Sequence, residues 1–177
     1  MVAMAMHKGA HNDCWKGYTP FHDGPLAAAL IGVWTLRQYS DVTAGFPSQH
    51  PFGLNPEGFL IYTPDGFVSA ALMAPDRPKF SGNDFMDGSP AEYIAAARSF
   101  IGYTGVYDVD ETLSVVTHRP LVAFAPNMIG SFQRRHVALN GDILVLTADH
   151  LQSGVSPSTK SLLEWVRVKA GATQDEQ

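Results

Sequence analysis

The chain has 177 residues, 45% of them apolar, which is enough material for one domain with a sizeable core. Its 12 Lys and Arg stand against 17 Asp and Glu, a formal charge of -5 with no basic run, so the electrostatic footprint of a nucleic-acid binder is missing. No apolar stretch approaches the roughly 20 residues that cross a bilayer, and residues 1–10 lack the apolar block of a secretory signal; the expectation is a cytosolic protein that enters no membrane.

Residues 1–25 carry His7, His11, Asp13, Cys14, Trp15, Tyr18 and His22 with neither helical nor strand periodicity, and read as an extended arm. Cys14 is the single cysteine, which excludes an intramolecular disulfide and a zinc site of paired thiolates. The histidine spacing fits no compact ligand pattern, so no metal is expected. Residues 26–30 suggest a short helical turn leading into a strand over 31–40, rich in β-branched and aromatic side chains. A loop rich in Pro and Gly, 45–56, precedes two strands, 58–63 and 67–73. Pro64-Asp65-Gly66 between them signals a tight turn, because Pro presets φ and Gly tolerates φ > 0.

Residues 75–88 are polar and broken by prolines, the pattern of a long loop that serves as a lid or binding loop. Ser89-Pro90-Ala91-Glu92 then forms a capping box with Pro at the first helical position, which predicts one helix running to Ile101 and stopped by Gly102. Strand signals return at 103–109, 113–118, 121–124, 132–139, 143–147 and 161–168. Asp110-Glu111 and Asn140-Gly141-Asp142 are hairpin connections. Serial hairpins make an antiparallel meander, and eight or nine such strands lose their edges most simply by closing. The predicted fold is all-β: a single antiparallel β-barrel over 26–168 with one short helix near the mouth, an arm over 1–25 and a disordered tail over 169–177.

Gly32-Val33-Trp34 has the Gly-x-Trp form that opens the first strand of lipocalins. Gly58-Phe59-Leu60-Ile61-Tyr62, Tyr103-Thr104-Gly105-Val106-Tyr107, Val116-Thr117-His118, Pro126-Asn127-Met128-Ile129-Gly130, Gln133-Arg134-Arg135 and Leu163-Glu164-Trp165-Val166-Arg167 follow in order. Together they resemble the lipocalin-like domain family of bacteria and filamentous fungi. The resemblance implies an up-and-down barrel in which Trp34 packs across the closed end against Arg167. It also brings in related fungal barrels of natural-product gene clusters that act as cyclases or isomerases without a cofactor.

Residues two apart on a strand share a face, so apolar neighbours show which polar groups point inward. Tyr103 and Tyr107 share a face with Val109; His118 shares one with Val116; Gln133 and Arg135 share one with Val137 and Leu139. Candidate catalytic residues are therefore His118, Arg135, Tyr103 and Tyr107, with Tyr62, Met73, Gln133 and Trp165 as substrate-binding lining. His118 would move a proton, a tyrosine would donate to a carbonyl or alkoxide, and Arg135 would stabilise developing negative charge. Each has a plainer role open to it: the tyrosines as core, His118 as a satisfied wall residue, and Arg135 tied to a buried carboxylate. No nucleophile elbow, phosphate-binding Gly loop or zinc helix is present. Three functions remain: a cofactor-free isomerase, cyclase or dehydratase acting on a small apolar polyketide or terpenoid; a binding or carrier protein for such a molecule; and a filled, structural barrel.

Overall fold

The computed structural model describes residues 24–149 and 159–169. The arm with its three histidines and Cys14, and most of the tail, lie outside them. A short helix α1, Pro25–Leu30, is followed by strands β1 (Gly32–Thr43), β2 (Glu57–Tyr62) and β3 (Phe67–Met73), then helix α2 (Pro90–Arg98). Five more strands follow: β4 (Phe100–Asp110), β5 (Val115–Ala123), β6 (Gln133–Asn140), β7 (Ile143–Asp149) and β8 (Thr159–Arg167). Each strand pairs antiparallel with the next and β8 pairs back onto β1, closing an eight-stranded barrel. Among the described residues no helix is long and apolar enough to cross a membrane.

The tight hairpins gather at one end and α1 plugs it. Pro64-Asp65-Gly66 joins β2 to β3 there, with φ of 88° at Gly66, and Asn140-Gly141-Asp142 spans the start of the β6 to β7 hairpin, with φ of 58° at Gly141. Every end of the plug is tied down. Glu111, in the β4 to β5 turn, accepts from the backbone N–H groups of Leu26 (3.0 Å) and Ala27 (2.8 Å), which the first helical turn leaves without partners. At the other terminus the Trp34 indole N–H donates to the carbonyl of Leu30 at 2.9 Å, and the Arg167 guanidinium donates to those of Ile31 (2.8 Å) and Ala29. Arg167 also lies over the Trp34 ring, 4.0 Å from its centroid. Gly32 has a φ of 133°, and a Cβ there would stand 2.9 Å from an Arg167 nitrogen, which accounts for the glycine of the opening motif.

Two strand irregularities matter for the interior. Along β1 the pairing with β8 slips between Leu36 and Gln38, so Trp34 and Leu36 face inward before the slip and Tyr39 after it. In β5 the strand runs through Pro120 instead of breaking into the two pieces predicted, because a bulge opposite Thr104 and Gly105 absorbs the proline. Gly105 is required there: a Cβ would collide with the backbone carbonyl of Arg119. Gly105→Ala should therefore destabilise the barrel by roughly 1–3 kcal/mol, the cost of overpacking, read as a lower urea midpoint at unchanged slope.

At the open end the helix is shorter than predicted. The capping box forms as expected, but α2 stops at Arg98 because Phe100 and Ile101 pair with Met73 and Leu72 as the start of β4. The 75–88 connection does not line the cavity, although Arg77 lies over the rim residue Phe100. It packs on α2 through Phe80 against Tyr93, Arg77 to the Ala96 carbonyl and Ser81 to Glu92, and α2 itself buries no residue.

Candidate functional site

Inside the barrel is a cavity of about 470 Å³, within the range of small-molecule pockets and lined by residues from all eight strands. Its walls are mainly apolar, with Leu60, Leu72, Leu146, Leu163 and Trp165 among them, and its rim is formed by Phe100, Phe124, Ala125 and Met128. No residue of the 75–88 connection or of α2 contributes. The polar side chains on the lining are Tyr103, His118, Gln133, Arg135, Tyr39 and Ser161.

His118 joins two tyrosines. Its Nε2 is 2.7 Å from the Tyr62 hydroxyl and its Nδ1 is 2.7 Å from that of Tyr103. The imidazole is 1% exposed, and burial, helped by the positive charge of Arg135, pushes its pKa down to about 3. At neutral pH it therefore holds one N–H and one lone pair, so one tyrosine donates to it and the other accepts from it. The accepting tyrosine keeps its own O–H free. Tyr103 faces the cavity, whereas the Tyr62 hydroxyl is fully buried and has no other partner among the described residues. A free proton on Tyr62 would be an orphaned buried donor costing about 1–3 kcal/mol, so Tyr62 donates to Nε2, Nδ1–H donates to Tyr103, and the Tyr103 O–H points to the cavity. Burial raises the pKa of both phenols, most strongly for Tyr62, and keeps them protonated.

The other candidates divide. Gln133 and Arg135 both project inward, and Arg135 donates to the Gln133 amide oxygen at 3.2 Å and to the Arg134 carbonyl at 2.9 Å. Trp165 lines the wall. Tyr107 does not reach the cavity: its hydroxyl donates to the Thr63 carbonyl at 3.0 Å, and its ring packs behind Tyr62 toward the closed end. Tyr62 is the partner behind His118 and not part of the lining. Met73 has the opposite parity from Ala70 and Leu72, and its sulfur meets Arg77 outside the cavity. Two polar lining residues went unread in the sequence, Tyr39 and Ser161. Ser161 donates to Asp41 at 2.5 Å and is hydrogen-bonded to Tyr39, whose pKa is raised by burial and by the Asp41 charge.

Residues 31–168 match the lipocalin-like domain family. The chain belongs to that family. Beside this lipocalin-like barrel stands the 4'-hydroxy-3'-methoxypropiophenone carrier protein of Aspergillus oryzae, 33% identical over 106 residues, a stretch covering 55% of this chain and 94% of the relative. No solved structure matches it significantly. The cavity, the plug held by Trp34 and Arg167, and the match over 31–168 agree on the architecture of a small-molecule binder.

Proposed function

We propose that this barrel is a carrier: it holds a small, largely apolar molecule whose carbonyl-type oxygen accepts a hydrogen bond from Tyr103. The observation that carries the reading is the Tyr62–His118–Tyr103 chain, which ends in one oriented O–H at an apolar cavity. Such a cavity needs few polar groups, and these fix orientation. The name of the Aspergillus oryzae relative, a carrier for an aryl ketone, supports the same ligand chemistry. Proton transfer is poorly served by these groups. The His118 lone pair is engaged by Tyr62, its conjugate acid has a pKa of about 3, and drawing a proton from Tyr62 would leave a phenolate without solvent.

A second reading has its own support. Tyr103 and Arg135 are both donors, and a donor pair in a low-dielectric site stabilises an enolate or alkoxide, as a cofactor-free isomerase, cyclase or dehydratase of an apolar natural-product intermediate in the cytosol would require. One experiment separates the two. Titrating the protein with 4'-hydroxy-3'-methoxypropiophenone should quench tryptophan fluorescence saturably, and the ligand should be recovered unchanged after prolonged incubation. Tyr103→Phe should weaken binding about 2- to 10-fold, the usual worth of one neutral hydrogen bond. Absence of saturable binding to the wild type rejects the carrier for this ketone. Conversion of ligand, slowed about 10²- to 10⁴-fold by His118→Ala, selects the enzyme.

A further inference from the structure

The polar part of the lining is richer in free hydrogen-bond donors than in free acceptors. His118 has both ring nitrogens engaged by tyrosines. Gln133 gives its amide nitrogen to Ser131 at 2.7 Å and its oxygen to Arg135. The carboxylate on the far side, Asp41, accepts from Ser161, which is itself bonded to Tyr39. What remains is the Tyr103 O–H, the guanidinium of Arg135 and the indole N–H of Trp165, which is buried on the lining without a partner among the described residues. Two of the five N–H groups of Arg135 are taken, both by neutral acceptors, and among the described residues no carboxylate pairs with it.

A half-buried cation beside an apolar cavity, with no counter-ion, is an uncompensated charge. Its field reaches the whole polar group, for it acts on Tyr39, Tyr62, Tyr103 and His118 alike. A neutral ligand leaves that charge as it was and strips water from it on entering. An anion of matching shape compensates it, and a planar group with two oxygens fits the forked geometry of a guanidinium. Resting on the binding reading above, we infer that the ligand enters as an anion, with one negative charge shared between two acceptor oxygens: a conjugated carboxylate, or the enolate of a 1,3-dicarbonyl. Arg135 is the residue that selects it, and Tyr103 donates to one of its oxygens.

The test uses a pair of near-identical shape. 2-Naphthoate is an anion, and 2-acetonaphthone is the neutral ketone in which a methyl group replaces the charged oxygen. Wild-type protein should bind 2-naphthoate at least tenfold more tightly than 2-acetonaphthone. Arg135→Gln should abolish that preference, with an unchanged melting temperature showing that the barrel is intact. Equal affinities in the wild type, or a preference for 2-naphthoate that survives Arg135→Gln, overturns the inference and leaves the binding reading standing. If neither compound binds the folded wild type, the binding reading itself fails, and the inference with it.

Discussion

Trp34→Ala should lower the stability of the barrel by about 3–5 kcal/mol, the range for deleting a buried Trp. The ring is 0% exposed and performs three tasks at the closed end. It fills the space beneath α1, donates to the Leu30 carbonyl and lies under the Arg167 guanidinium. Alanine leaves a cavity, strips the helix C-terminus of one acceptor's partner and removes the aromatic face that holds Arg167 against the Ala29 and Ile31 carbonyls. For a domain of this size the melting temperature should fall by roughly 6–20 °C. Trp34→Phe keeps most of the burial and should cost clearly less. Because the ligand cavity is lined by other residues, ligand affinity measured well below the melting temperature should be preserved. A melting temperature within about 2 °C of the wild type would refute the plug as a structural element.

That end of the molecule was legible in the sequence because its signals are local. Gly32-Val33-Trp34, Pro64-Asp65-Gly66 and Asn140-Gly141 each require a particular backbone within three residues, and each is found where expected. The inward faces of β4, β5 and β6 were legible too, since strict alternation carries Tyr103, His118, Gln133 and Arg135 to the cavity. Alternation fails where the chain slips. Read with a constant period from Trp34, Tyr39 belongs outside the barrel; the irregularity between Leu36 and Gln38 reverses the parity and brings it in opposite Leu163, beside Ser161. Nothing local in Arg37-Gln38-Tyr39 announces that shift.

Depth along the barrel is equally hidden. Tyr103 and Tyr107 share a face, but one lies beside the open space and the other against the closed-end turn, because strand tilt and the packing of Tyr62 decide which is covered. The 75–88 connection and α2 contribute nothing to the cavity lining, and α2 leaves its large apolar side chains, Tyr93 and Ile94, exposed instead of turning them onto the cavity.

Acid should unfold this protein through His118. The imidazole titrates near 6.5 when unfolded and at about 3 in the barrel, a depression caused first by burial and then by Arg135. Between those values the unfolded chain binds one more proton than the folded one, so stability rises with pH and falls as pH drops. The contribution is fully present above pH 6.5 and is lost progressively down to about pH 3, at about 1.4 kcal/mol per pH unit, or roughly 5 kcal/mol in all. Carboxylates add their own slope below about pH 5, so the window from 6.5 to 5 separates His118 from them. Urea unfolding midpoints followed across that window should fall by the equivalent of roughly 2 kcal/mol in the wild type. His118→Gln removes this titration and should show a clearly shallower profile, even though losing hydrogen bonds to Tyr62 and Tyr103 lowers its stability at every pH. An equal slope in both proteins would mean that His118 is protonated as readily in the folded barrel as outside it. The neutral imidazole that orients the Tyr103 hydroxyl toward the ligand would then be lost as a premise.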